Sequence, residues 1–331
     1  VNATEMGSYF PCTRKWLFSY VLNMNEDSLT TEFFNPFDTG NIYHRVLEKY
    51  FGWYKENKKP IPIVNDKGEL PDEDNINKVI SGYLKEALEE TDSRKALSFQ
   101  KWNTKSSLIK EAVFSQAEKM AECFIPVLQS LCSPYDEEHS KKSGFGNGYV
   151  IASEESLNDT KNEVCSLYGE LDCVFCNDEK LSIIDYKTNK VKSAEECIVD
   201  KSKYNPDSAV LPDLKDFQIP MYVHLLLNSN LIKAGDLEQA LFFSLKKAEK
   251  SYIVKEPQMK KGGKEKYKND KTATLEEYEA TLDAFKRYAE IFASEIRSCK
   301  SFKPDFTKVL DYEHCTACSY NSICRTTYTK K

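Results

Sequence analysis

The spacing of hydrophobic residues changes near residue 148, and this change limits the folds that the chain can adopt. Before it, the stretches at 40–55, 75–90 and 106–132 repeat apolar residues three and four positions apart, which predicts amphipathic helices. After it, short alternating or apolar stretches at 148–157, 163–176 and 180–188 predict strands. The turn "NDE" joins the last two strands, so they are predicted to form a hairpin.

The remaining segments complete a mixed pattern. A helix at about 213–229, a strand at 239–247 and a long helix at 274–299 follow the hairpin. This order predicts an α/β fold with a mixed sheet, flanking helices and a largely helical front. We expect one domain over 1–331 with four parts, namely a helical part at 1–135, the α/β core at 148–247, a Lys-rich loop at 248–273, and a C-terminal helix with a cysteine cluster at 274–331. A solvated insertion explains the Lys-rich loop better than a DNA contact does.

Composition excludes several classes of protein. Hydrophobic residues make up 40% and charged residues 30%, which is typical of a globular chain, and no apolar run approaches membrane-spanning length. A net charge of −6 argues against a uniformly basic coat for nucleic acid, although a local basic channel is compatible with it. The chain starts at Val1 without a signal peptide, so we expect a piece of a longer, cytoplasmic polypeptide.

The predicted hairpin carries the residues best suited to catalysis. Asp172 lies on its first strand, and Asp185 and Lys187 lie two positions apart on the second, so the latter two project from one face. Two converging carboxylates favour Mg²⁺ or Mn²⁺, and the carbonyl of Tyr186 is a further candidate ligand. A neighbouring lysine can orient water and stabilise charge on a phosphate. Taken alone, an Asp-x-Lys triplet is more typical of a surface ion pair.

A second feature is the set of thiols at the end of the chain. Cys315, Cys318 and Cys324 lie close in sequence and need a fourth ligand to complete a metal centre. The spacing alone suits zinc as well as iron, and His314 could replace one thiol. Cys173 and Cys176 are three apart on a strand and face opposite ways, so we expect them to be ordinary free thiols.

Four segments together resemble the PD-(D/E)xK nuclease superfamily, in particular its RecB-type exonuclease branch. "GELD" followed by "IIDYKT", with Asp185 thirteen residues after Asp172, is similar to the active-site hairpin of that family. "FDTGNIYHRVLE" is similar to its N-terminal helix, and the resemblance implies that His44 binds the metal. "DFQIPMYVHLL" matches its Gln-x-x-x-Tyr motif at Gln218 and Tyr222.

The same resemblance supplies a fourth thiol. "GSYFPCTRKWLFSYVL" is similar to the segment that, in iron-sulfur members such as AddB subunits and CRISPR-associated adaptation nucleases, provides one cysteine before the nuclease core, here Cys12. The resemblance therefore implies a 4Fe-4S cluster that joins both ends of the domain. Two departures from the family stand out: Cys173 replaces the usual arginine after Asp172, and Pro11 precedes Cys12 instead of following it.

The resemblance implies a restriction-endonuclease-like fold and an Mg²⁺- or Mn²⁺-dependent exodeoxyribonuclease. We expect it to act on a single-stranded DNA end beside a helicase, as in an AddB-type subunit that repairs double-strand breaks. The alternatives are a stand-alone adaptation nuclease and a non-cleaving DNA-binding module of the same fold. A zinc-stabilised interaction scaffold is a further possibility, which predicts colourless protein.

Overall fold

A computed structural model describes most of the chain. The described residues are 1–24, 36–96, 120–135, 144–159, 165–188, 191–255, 272–298, 315 and 318–324. Three earlier predictions fall partly outside this set, namely the first half of the helix at 106–132, the Lys-rich loop over 256–271 and the use of His314 as a ligand.

The helices and strands follow the predicted order, with one additional strand before the last long helix. The helices are α1 (Ala3–Tyr9), α2 (Thr13–Trp16, continued by a π-helical turn over Leu17–Val21), α3 (Pro36–Glu56), α4 (Glu73–Ala96), α5 (120–131), α6 (Ala194–Cys197), α7 (Gln218–Leu227), α8 (Leu275–Ser298) and α9 (Asn321–Cys324). The strands are β1 (Tyr149–Asp159), β2 (Leu167–Asn177), β3 (Lys180–Lys187), β4 (Asp236–Ser244) and β5 (Glu249–Lys255).

The five strands form one mixed sheet in the order β1-β2-β3-β4-β5. β2 and β3 make the predicted antiparallel hairpin, with Cys173 opposite Ile184. β3 and β4 run parallel, and the chain between them contains α6 and α7, as a parallel connection requires. The described part of the fold is thus a mixed sheet flanked by helices, which is compatible with the expected restriction-endonuclease-like fold.

Each face of the sheet packs against its own group of helices. On one face, Val174, Ile183 and Phe242 are buried with side chains of α1, α7 and α8. On the other face, Phe175 and Ile184 are buried with side chains of α3, α4 and α5. The alternation along β3 therefore sends successive side chains into two separate cores, as a strand that is covered on both faces requires.

Two helices show why these segments become helical. α3 buries one stripe of residues at helical spacing, namely Ile42, Val46, Leu47, Tyr50 and Phe51. α8 begins after a reciprocal cap, because the Glu277 amide donates to the Thr274 hydroxyl and the Thr274 amide donates to the Glu277 carboxylate, both at 3.1 Å. None of the helices described is long and apolar enough to cross a bilayer.

Strand β5 occupies part of the range that the sequence analysis treats as a Lys-rich loop. It spans Glu249–Lys255 and pairs antiparallel with β4. Ile253 and Val254 are fully buried, while Lys250 lies over the ring of Phe145 at 5.5 Å. The lysines conceal this strand in the sequence, since their aliphatic stems cover apolar surface although their ends are charged.

Candidate active site

Helix α3, strand β1 and the hairpin β2–β3 bring three side chains and one carbonyl together. The His44 ring reaches from α3, with Nε2 at 3.1 Å from the Tyr186 carbonyl oxygen. Its Nδ1 lies 3.1 Å from Glu154 Oε1 and 3.5 Å from Asp172 Oδ2. His44, Glu154 and Asp172 each have one potential ligand atom that lies within 4.8 Å of those of the other two.

Asp172 is held in place by the neighbouring strand. The backbone N–H of Tyr186 donates to Asp172 Oδ2 at 2.6 Å, and the Asp172 residue is 7% exposed. Burial and the negative charge of Asp185 raise the pKa of the Asp172 carboxyl well above its ordinary value, although His44 opposes the shift. The two aspartates of the hairpin thus act on each other electrostatically, which favours a cation between them.

Asp185 and Lys187 form an ion pair at the end of β3. Burial lowers the pKa of the Lys187 ammonium, but the charge and hydrogen bond of Asp185 outweigh this effect and raise it overall. Lys187 is therefore positively charged at neutral pH. The Asp185 residue is 1% exposed. Among the described residues, its Oδ2 contacts the Lys187 ammonium and has no other hydrogen-bond partner.

The same acidic surroundings act on His44. Burial lowers the pKa of the imidazole, whereas the hydrogen bond to Glu154 and the charges of Asp172, Glu154 and Asp185 raise it, with a net value of about 9. His44 is therefore an imidazolium at neutral pH in the metal-free protein. A metal that binds here must displace this proton, because a histidine ligand is neutral.

A cavity of about 990 Å³ opens beside this group of residues. Its wall includes His44, Glu154 and Asp172 together with Gln218 and Tyr222 from α7. The Gln218 side chain hydrogen-bonds to the Tyr222 hydroxyl. Burial raises the pKa of this hydroxyl, and the charges of Asp185 and Asp172 raise it further. Gln218 and Tyr222 thus lie on the cavity wall near the carboxylates.

Close packing keeps α7 against this wall. A Cβ atom placed on Gly169 would lie 3.1 Å from Leu225 Cδ1 and 3.3 Å from Tyr222 Cε1, so a larger residue would require these side chains to shift by a few tenths of an ångström. Gly169 begins the "GELD" segment of the predicted hairpin.

The structure therefore brings every predicted residue of the hydrolytic site into one region. His44, Asp172 and the Tyr186 carbonyl lie together, Asp185 and Lys187 pair beside them, and Gln218 and Tyr222 line the adjoining cavity. Glu154 also belongs to this group, although the sequence did not predict it. No motif marks it, since "SEES" is an ordinary polar stretch of a half-exposed strand.

A family model described as the PD-(D/E)XK nuclease superfamily matches residues 1–325. The chain belongs to that superfamily. A search of curated proteins gave no match. The match spans the helical front, the hairpin and the C-terminal cysteines, so it supports nuclease chemistry for the site described above and assigns no particular branch.

Members of this superfamily typically use Mg²⁺ or Mn²⁺, and the residues present suit such an ion. Carboxylate and carbonyl oxygens are the ligands that these cations prefer. The carboxylates of such a site repel one another, and a bound cation would offset this repulsion. His44, Asp172, Asp185 and the carbonyl of Tyr186 are the groups that would hold the ion.

The superfamily match also includes the four predicted cluster ligands, and the structure brings some of them close. Burial raises the pKa of the Cys12 thiol, and Cys324 and Cys318 add to the shift through their charge. The Arg14 guanidinium donates to the Cys324 carbonyl at 3.1 Å and to its Sγ at 3.3 Å. Cys315 connects to the same turn, because its carbonyl accepts the N–H of Cys318 at 3.3 Å.

Tyr320 attaches the C-terminal segment to the N-terminal one. Its hydroxyl lies 3.0 Å from Ser19 Oγ and donates to the Met24 carbonyl at 2.6 Å, while its ring packs against Phe18 with centroids 5.4 Å apart. The two ends of the described chain therefore meet at the predicted clasp, independently of what the thiols bind.

Proposed function

We propose that this chain is a divalent-cation-dependent exonuclease that degrades single-stranded DNA from an end. The observation that carries the proposal is the juxtaposition of His44 Nε2, the Tyr186 carbonyl and Asp172 beside the Asp185–Lys187 pair, at the wall of a cavity of about 990 Å³. Its support from the comparisons is membership of a nuclease superfamily.

The residues of the site divide the chemistry among them. When bound, a divalent cation would supply an acidified water and offset the charge of the phosphate. Lys187, positively charged and 24% exposed in its side chain, can hydrogen-bond to the attacking water or to a non-bridging phosphate oxygen. Asp185 pairs with Lys187, and a cation held by Asp185 would offset the carboxylate charge and leave the Lys187 ammonium available to the substrate.

We assign Gln218 and Tyr222 to the substrate strand. They lie on the cavity wall and are hydrogen-bonded to each other, so the amide of Gln218 and the phenol of Tyr222 can contact a nucleotide without touching the cation. Aromatic and amide side chains are common contacts to single strands.

We further propose that Cys12, Cys315, Cys318 and Cys324 hold a 4Fe-4S cluster. A tetrahedral zinc site with bonds of about 2.3 Å would place its sulfurs about 3.8 Å apart. Among the described residues, no three thiols come within 4.8 Å of one another. In a cubane each thiolate binds a different iron, so its sulfurs lie further apart than around a single zinc. The support for the cluster is the resemblance of the cysteine pattern to iron-sulfur members of the superfamily.

We assign the domain to a cytoplasmic helicase-nuclease of double-strand break repair, in which a helicase region or subunit would supply the single strand. The support is the resemblance of the hairpin and the cysteine pattern to AddB-type chains.

The test compares two forms of one single-stranded DNA. Anaerobically purified chain is incubated with a linear oligonucleotide and with its covalently closed circle, each in Mg²⁺ and in Mn²⁺, and products are resolved on a gel. An exonuclease shortens the linear form and spares the circle, and labels at the 5′ and 3′ ends give the direction. Equal cutting of the circle would identify an endonuclease, and no cutting of either form would support a non-cleaving module.

A further inference from the structure

Glu154 adopts a backbone conformation that is unusual within a strand. It lies opposite Asp172 in the β1–β2 pairing, between the paired residues Ser153 and Glu155, yet its φ angle is 45°. A non-glycine residue in this left-handed region carries a conformational cost, and such residues concentrate at functional sites. The fold thus keeps a glutamate with a costly backbone conformation in the cavity wall.

The carboxylate of Glu154 contacts only one edge of the His44 ring. Its Oε1 lies 3.1 Å from Nδ1, and its side chain is 17% exposed. The opposite edge of the ring presents Nε2 to the Tyr186 carbonyl, also at 3.1 Å. Adjacent ligands of an octahedral cation with bonds of about 2.1 Å lie about 3 Å apart, so Nε2 and this carbonyl have the spacing of two neighbouring ligands.

We propose that Glu154 is the positioning residue of His44. Its carboxylate accepts the Nδ1–H hydrogen bond, which fixes the ring orientation and the tautomer that leaves the Nε2 lone pair free for the cation. Metal-binding histidines are commonly held by a carboxylate on their other nitrogen in this way. The inference rests on the proposed cation site but not on the exonuclease activity.

Two further carboxylates make a purely structural role for Glu154 unfavourable. Burial raises the pKa of Glu170, and the charges of Glu154 and Glu48 raise it further. Glu154 therefore adds repulsion to an already acidic wall and also has a costly φ angle.

The binding test measures Mn²⁺ affinity by titration calorimetry in Glu154→Ala, Glu154→Gln and the control Glu155→Gln. Glu155 is the next residue and pairs with Lys55. Glu154→Ala should lose roughly 10- to 100-fold in Mn²⁺ affinity. Glu154→Gln should recover most of this loss, because its amide oxygen still accepts the Nδ1–H, and Glu155→Gln should match the wild type.

A spectroscopic readout separates positioning from direct binding. In ¹⁵N NMR of the Mg²⁺-loaded protein, assigned with His44→Gln, the His44 ring should carry its proton on Nδ1 and none on Nε2. Glu154→Ala should lose the slowly exchanging Nδ1 proton.

Three outcomes would overturn the inference. A cation on Nδ1, with Glu154→Gln as defective as Glu154→Ala, would make Glu154 a direct ligand together with Asp172. Unchanged Mn²⁺ affinity in Glu154→Ala would leave it no role toward His44. Failure of the wild type to bind Mn²⁺ would refute the cation site itself, whereas the expected Mn²⁺ response without DNA cleavage would refute only the exonuclease.

Discussion

Loss of the His44 proton should make the metal-free protein less stable at alkaline pH. The pKa of His44 is about 9 in the fold, against about 6.5 in an unfolded chain, because Glu154, Asp172 and Asp185 outweigh the effect of burial. A raised folded-state pKa adds stability that is fully present below about pH 6.5. That stability is lost as the pH rises through about 9.

The magnitude follows from the size of the shift. A difference of about 2.5 pKa units at about 1.4 kcal/mol per unit gives roughly 3.4 kcal/mol as an upper value. The His44 side chain is 30% exposed, so solvent screening reduces the expected contribution to about 2 kcal/mol.

The assay is urea unfolding of the wild type and His44→Gln in a chelator that removes divalent cations. The wild type should exceed the variant by about 2 kcal/mol at pH 6, and most of this difference should disappear by pH 9.5. A difference that stays constant from pH 6 to 9.5, or grows, would refute the electrostatic account of this histidine.

Three further predictions concern other parts of the fold. Gln218→Ala and Tyr222→Phe should raise the apparent KM for single-stranded DNA while leaving the Mn²⁺ optimum unchanged, and a shifted optimum with normal KM would contradict their role. Cys12→Ala should lose iron, as measured by metal analysis and absorption near about 400 nm, and expose the C-terminal segment to protease; retention of both properties would require another ligand. Gly235→Ala should destabilise the fold by about 1–3 kcal/mol in urea unfolding, because its Cβ would lie 2.1 Å from the Glu179 carbonyl oxygen, and unchanged stability would mean that this turn can relax.

The sequence predicted the parts of the site that depend on local pattern. Asp185 and Lys187 share a face because they are two apart on a strand, and His44 lies on a helix whose apolar stripe faces the sheet. The hairpin that joins Asp172 to Asp185 was marked by a short turn between two apolar stretches. These features need only the period of the chain and a family resemblance.

The sequence could not predict features that depend on tertiary contacts. Glu154 joins the site because its backbone adopts a left-handed φ angle opposite Asp172, and no local pattern encodes that conformation. β5 was hidden by its lysines: Lys250 and Lys255 lie over aromatic rings, and burial lowers the pKa of each to about 8. Composition alone assigns such a stretch to solvent.

The most direct test of the cation-dependent nuclease is cleavage of end-labelled single-stranded DNA by the wild type, Asp185→Ala and Asp178→Asn. Asp178 is the matched control, because it lies in the turn of the same hairpin and is exposed. The wild type and Asp178→Asn should cleave equally in Mn²⁺, and Asp185→Ala should be slower by about a hundredfold or more while remaining folded by circular dichroism. Equal rates for Asp185→Ala and the wild type would contradict the assignment of the hydrolytic site to this hairpin.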